Sequence, residues 1–123
     1  MKILILLIMF FSYTLIACGN DKSNKTTNQN KIPQNIVIID VRTAYEWQQG
    51  HLEGAIHLPL DIIASEIEKK VKDKNTPIAL YCRSGRRSGI ATSQLRALGY
   101  KNVENYGGYN QASQTLGKKI VTD

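Results

Sequence analysis

The run Tyr81-Cys82-Arg83-Ser84-Gly85-Arg86-Arg87-Ser88 places one thiol at the head of a loop that carries three arginines and a glycine. A cysteine reacts as its thiolate, and a helix N-terminus, a nest of backbone N–H groups and nearby guanidiniums each favour that anion. Gly85 permits a tight turn, so loop amides and the first turn of a following helix can converge on Cys82. Arg83 and Arg86 are free to face a bound anion, while Arg87 is placed to orient the loop or start the helix. These residue types support nucleophilic attack by Cys82 on a small anionic substrate, with Arg83, Ser84, Gly85, Arg86 and Arg87 as its binding loop. The bland alternative is a buried, inert cysteine. Three arginines within five residues weigh against it.

Such a loop has to be carried by a strand and a helix. Pro77 to Tyr81 is a short apolar run that reads as a buried strand. Ile90, Ala91, Leu95 and Leu98 recur at helical spacing after the loop, and Gly99 supplies the stop. Upstream, Ile36 to Asp40 (IVIID) is a continuous β-branched run, the pattern of a strand covered on both faces. Thr43 and Glu46 form a capping box for a helix that Gly50 closes. Ala55 to Leu58 reads as a second strand. Asp61 is the expected N-cap of a helix whose Ile63, Ile67 and Val71 share one face. Val103 to Tyr106 reads as the last strand, and Gly107-Gly108 turns the chain into a final helix near Tyr109 to Leu116. Strands alternating with helices, without hairpin signals, specify a small three-layer α/β domain with a mostly parallel sheet flanked by helices. Ligands of such sheets bind beyond the carboxyl ends of the strands, where both Asp40 and Cys82 emerge. Asp40 and Arg42 could shape that pocket, although a structural ion pair at a strand end is the more economical reading.

Length and composition bound the rest. A chain of 123 residues has room for one domain, and 42% hydrophobic with 21% charged residues argues against wholesale disorder. The net charge of +6 is not arranged as a nucleic-acid face, since Lys69, Lys70, Lys72 and Lys74 crowd one helix end, where cations suit the macrodipole. No nucleic-acid partner is therefore expected. His51 and His57, six residues apart with no further cysteine or histidine near them, fit no zinc pattern; no metal or cofactor is expected. Trp47 and Tyr45 read as core and rim. The two cysteines, Cys18 and Cys82, stand in such different settings that a disulfide between them is not expected.

Residues 1–17 read as an export signal, with Lys2 as a minimal n-region and Ile3 to Phe11 as the apolar h-region, shorter than the roughly 20 residues that span a bilayer. Leu15-Ile16-Ala17-Cys18 looks like a bacterial lipobox, which implies cleavage before Cys18 and lipid on it. Residues 18–33 then form the lipidated cysteine and a polar tether too poor in hydrophobic residues to join a core. Residues 34–123 form the folded domain. The expected location is the bacterial cell envelope, held by the lipid; a soluble periplasmic protein is the alternative.

The motifs together resemble the rhodanese family. Asp40-Val41-Arg42, Tyr45-Glu46-Trp47, Gly50 to Ile56 and Pro59 are similar to its first signature. Residues Tyr81 to Ser88 are similar to its catalytic loop, and Leu98-Gly99-Tyr100, Val103 and Gly107-Gly108 also fit. The resemblance covers about residues 35–112 and is greatest to short exported single-domain rhodaneses of the phage shock protein E type. It implies a rhodanese-like fold and a thiosulfate sulfurtransferase. Cys82 would take the outer sulfur of thiosulfate as a persulfide, cradled by the N–H groups of Arg83 to Arg87, and pass it to cyanide or a thiol. A monomer acting on these small partners is expected. The resemblance also makes His51 a structural hydrogen-bonding residue. Many rhodanese domains begin with an extra strand and helix for which the polar leash leaves no room, so the strand count stays open.

Two other classes fit less well. A cysteine phosphatase or arsenate reductase uses Cys-x5-Arg, whereas here the sixth position after Cys82 is Ser88 and the arginine stands one place early, at Arg87. A tethered sulfur carrier or protein-binding module is the other alternative; binding modules of this kind often lose the nucleophile, which this chain keeps.

Overall fold

The computed structural model describes residues 31–123. The export signal at 1–17, the lipidation site Cys18 and the tether as far as Asn30 lie outside the described residues.

Four strands, β1 (Val37–Asp40), β3 (Ile56–His57), β4 (Ile78–Cys82) and β5 (Val103–Gly108), form an all-parallel sheet in the order β3-β1-β4-β5. The central strands β1 and β4 pair Ile39 with Leu80 and Asp40 with Tyr81. Every residue of β4 is buried, as expected of a strand with helices on both faces. Side chains alternate along it: Ile78, Leu80 and Cys82 join the larger core with Ile63, Ile67, Ala91 and Leu95, and Ala79 and Tyr81 join the smaller one with Leu52, Ala112 and Leu116. The layers are thus α2 (Ile63–Lys70) and α3 (Arg86–Ala97) on one face and α4 (Tyr109–Leu116) on the other. Each Ile or Leu fully withdrawn from water contributes about 1.5–3 kcal/mol, which is how a sheet of such short strands is held.

The parallel α/β architecture and most element positions agree with the sequence. Helix α1 (Ala44–Gln48) carries the full capping box between Thr43 and Glu46. Gly99, at φ +95°, follows α3, and α4 occupies the expected span. Ile63, Ile67 and Val71 are buried together.

Three expectations need correction. Asp61 does not cap α2: the cap residue is Ile62, without a side-chain bond, because the Pro59 carbonyl accepts from the N–H groups of both Ile62 and Ile63 at 3.0 Å. Ile90 and Leu98 are exposed; α3 instead buries Ser88, Ala91, Thr92 and Leu95, also a helical stripe but rotated so that Ser88 reaches Cys82. Finally, β5 is not the last strand. A two-residue strand, β6 (Ile120–Val121), pairs antiparallel with β2 (His51–Leu52) in a separate ribbon, too short to leave a periodic signature.

Near the carboxyl end of β4 the ladder to β5 is irregular. Leu80 pairs with Asn105 but Cys82 pairs with Gly108, so Tyr106 and Gly107 stand against the single residue Tyr81. This bulge swings Gly107-Gly108 under the loop that follows Cys82.

Candidate active site

Cys82 is the last residue of β4, and its side chain has no exposed surface. It is a free thiol at the foot of the loop Arg83 to Gly85. Gly85, in the left-handed region at φ +92°, turns the backbone so that its own N–H donates to Cys82 Sγ at 3.0 Å. Gly85 also caps α3 without any side-chain bond, so the first amides of the helix remain available to the sulfur. Ser88 Oγ lies 3.4 Å from Sγ. Burial by itself raises the thiol pKa. The Ser88 hydroxyl and the backbone N–H groups of Ser88, Ser84 and Gly85 outweigh it, and the pKa is lowered from the ordinary thiol value. The sulfur is therefore enclosed, but by donors rather than by hydrocarbon.

The arginines divide. Arg83 and Ser84 are exposed on the loop, and Arg86 is exposed at the first position of α3. Arg87 is engaged by Glu46 of α1 in a two-pronged pair, Nη1 to Oε2 at 2.7 Å and Nη2 to Oε1 at 2.8 Å. The Glu46 carboxyl is lowered to about 2, first by the Arg87 bond and then by Thr43, against the opposing effect of burial. The guanidiniums are thus not what chiefly holds the thiol down; hydrogen bonds are. Arg87 orients the loop, and its guanidinium fork is occupied by Glu46 rather than free to clamp a tetrahedral phosphate.

Asp40 and Arg42 form a buried pair. Arg42 Nη2 donates to Asp40 Oδ2 at 2.7 Å and to the Gly50 carbonyl at 2.6 Å, while Arg42 Nε contacts both Asp40 oxygens at 3.0 Å. The guanidinium also sits 4.5 Å from the Tyr109 ring centroid. This is the ion pair anticipated from the sequence, and it joins β1, α4 and the turn at Gly50. His51 is structural as expected, stacked on Trp47 with centroids 3.4 Å apart and with Nδ1 3.2 Å from the Trp47 carbonyl. Tyr45 is an exposed rim residue, but Trp47, expected in the core, is only half-buried and joins neither apolar cluster, because it packs on His51 and His57 instead.

A cleft of about 470 Å³ opens beside the loop, lined by Arg42, Tyr45, Glu46, Arg83, Tyr109 and Gln111. A larger hollow of about 530 Å³ lies at the other end of the strands, around Lys31, Pro77, Lys101 and Glu104, and contains no nucleophile. Chemistry and size therefore point to different places: the smaller cleft meets the Cys82 loop through Arg83 and Gly108, although Cys82 itself does not line it.

Three contributors escaped the sequence. Glu46 was legible only as a cap. Ser88 stood at the edge of the loop motif without a role. Asn105, from β5, bonds the loop at several points: its Nδ2 donates to the Gly85 carbonyl at 2.9 Å, and its Oδ1 accepts from Gly107 N at 2.9 Å and from Ser88 Oγ at 2.7 Å. No spacing rule links position 105 to positions 85 and 88, although the Gly107-Gly108 pair did mark a special turn nearby. Glycine is needed there: a Cβ on Gly108 would stand 2.7 Å from the Arg83 carbonyl oxygen.

A parallel sheet that ends a central strand on a donor-ringed cysteine, with a helix N-terminus beside it, defines an α/β domain of cysteine-based anion chemistry. The family follows: the model of the rhodanese-like domain matches residues 23–115, and the chain belongs to that family of sulfurtransferase-type domains. Thiosulfate sulfurtransferase PspE of Escherichia coli is 46% identical over 70 residues, covering 57% of this chain and 67% of that protein. The tRNA uridine(34) hydroxylase of Protochlamydia amoebophila is 34% identical over 100 residues, covering 71% of this chain but only 31% of that protein. Among solved structures, a rhodanese with anions from E. coli superposes with a TM-score of 0.65 at 38% identity, covering 72% of this chain and 99% of that one.

Proposed function

We propose that this chain is a thiosulfate sulfurtransferase working through a persulfide on Cys82. The observation that carries the reading is the ring of donors around Cys82 Sγ, with Gly85 N at 3.0 Å and Ser88 Oγ at 3.4 Å. Cys82 thiolate attacks the outer sulfur of thiosulfate. The new S–S bond forms as the bond to the sulfonate sulfur breaks, and sulfite leaves with that electron pair. The terminal sulfur keeps one negative charge and occupies the ring of loop amides. Cyanide or a thiolate then attacks it, forming thiocyanate or a new persulfide and returning the Cys82 thiolate. Sulfite is a stable leaving group, so no general acid is required.

Exposed Arg83 and Arg86 supply the positive field that draws a dianion toward the loop. The sulfur has no exposed surface, which favours a slender donor with a terminal sulfur over a bulky electrophile. The E. coli relatives, one named as a thiosulfate sulfurtransferase and one described with anions, support the same substrate class.

The test is to incubate the reduced protein with thiosulfate and look by mass spectrometry for one added sulfur on Cys82, then for thiocyanate when cyanide is supplied. A folded protein that gives neither would refute the assignment.

The lipobox-like Leu15-Ile16-Ala17-Cys18 supports export and lipid attachment at Cys18, which would place the protein at the cell envelope. Lys31, where the tether meets the domain, lines the hollow at the end of the strands opposite the Cys82 loop. Loss of fatty-acid labelling in Cys18→Ala is the expected outcome, and undiminished labelling would refute lipidation there.

A further inference from the structure

The network around Asn105 fixes more than the shape of the loop. The Gly107 N–H can only donate and the Gly85 carbonyl can only accept, so the Asn105 amide has one orientation: Oδ1 toward Gly107 and Ser88, Nδ2 toward Gly85. The Ser88 hydroxyl, fully buried, has one proton and two neighbours able to accept it, Asn105 Oδ1 at 2.7 Å and Cys82 Sγ at 3.4 Å. Near a neutral thiol the proton belongs on Asn105, and the Ser88 oxygen can accept from S–H. Near an anionic sulfur it belongs on the sulfur. Asn105 Oδ1 tolerates that loss because the Gly107 N–H still satisfies it.

We infer that Asn105 is a positioning residue for the nucleophile: it holds the Ser88 hydroxyl when Cys82 is neutral and releases it to the sulfur when Cys82 is charged. This rests on the reading of Cys82 as the reacting group. One buried acceptor thus competes with the thiolate for one proton, and the contest sets how readily the sulfur ionises. The charged groups around the loop are Arg83, Arg86 and Arg87, Glu46 from α1, and the Asp40–Arg42 pair at the end of β1. From β5 comes the neutral Asn105, and from α4 Tyr109 and Gln111; Glu104 and Tyr106 line the hollow at the opposite end.

A double-mutant cycle read by an NMR titration of the Cys82 Cβ resonance separates this from a merely structural role. The resonance is assigned by its loss in Cys82→Ala, and the readout needs no sulfur transfer, so it succeeds or fails independently of the proposed activity. Loosening of the loop and unchanged charges enter both arms of the cycle and cancel. Asn105→Ala removes the competing acceptor, so its effect on the midpoint should be lower in the Ser88 protein than in the Ser88→Ala background by half a pH unit, about threefold in thiolate fraction. Asn105→Asp keeps the volume and holds the hydroxyl more strongly, so its coupling should have the opposite sign. Should Asn105→Ala fail to fold, the Asp cycle alone decides. Shifts that are the same in both backgrounds, or a coupling of the wrong sign, would overturn the inference.

Discussion

Arg87 and Glu46 lie 41 positions apart in the chain, yet they meet through two bonds of 2.7 and 2.8 Å, so the N-terminal turn of α3 is fastened to α1. Glu46 is also the N3 residue of the α1 capping box, so one carboxylate holds a helix start and the catalytic-loop helix at once. Its pKa is depressed to about 2 from 4.5, so the stabilisation is complete above about pH 4.5 and is lost as pH falls toward 2. The pair is partly open to solvent, which limits its worth to about 1 kcal/mol. Glu46→Gln should lose about that much at pH 7, measured by urea unfolding. The gap between variant and parent should close as pH falls from 4.5 toward 2.

The buried Asp40–Arg42 pair should act on stability before activity. Asp40→Ala leaves the Arg42 guanidinium, only 6% exposed, with the Gly50 carbonyl as its remaining strong partner. An uncompensated buried charge costs about 3–5 kcal/mol. Thermal unfolding should show a loss of that size, and replacing both residues by apolar ones of similar volume should cost less than the single change.

Arg83 and Arg86 should govern how thiosulfate arrives. Both are exposed, Arg83 on the loop and Arg86 at the start of α3, whereas Arg87 is held by Glu46. Arg83→Ala and Arg86→Ala should each raise KM for thiosulfate about fivefold at low salt with a smaller effect on kcat, and the penalty should shrink at high ionic strength. Steady-state kinetics at two salt concentrations checks both parts.

Gly108 and Gly99 make a matched pair of tests. Gly108 has an ordinary φ of −76°, but a Cβ there would press on the Arg83 carbonyl oxygen at 2.7 Å. Gly108→Ala should displace the loop and lower sulfur transfer about tenfold or more, with about 1–3 kcal/mol of destabilisation. Gly99 has φ +95° with open space around its Cβ direction. Gly99→Ala should cost about 1 kcal/mol through backbone strain and leave turnover unchanged. Activity and unfolding measured on both variants distinguish a glycine kept for contact from one kept for conformation.

Local chemistry was legible because it is written in neighbouring residues. A continuous apolar run announces a doubly covered strand, the Thr43–Glu46 spacing announces a cap, and a glycine three residues after the cysteine announces the tight turn that brings an N–H to its sulfur. The facing of α3 was not legible, since Ser88 and Thr92 are polar by type and were buried only because the loop rotates the helix toward Cys82. Nor was β6, a two-residue strand whose pairing with β2 depends on a partner almost 70 positions away.

By itself the sequence determined the parallel α/β order and the strand, loop and helix that carry Cys82, because each follows from side-chain type and short-range spacing. Tertiary structure alone decided which donors surround the sulfur, that Glu46 takes Arg87 from the pocket, and that the pairing of β5 with β4 brings Asn105 to the Ser88 hydroxyl. Such choices belong to the packing of elements against one another. They depend on distances through space, which spacing along the chain does not encode.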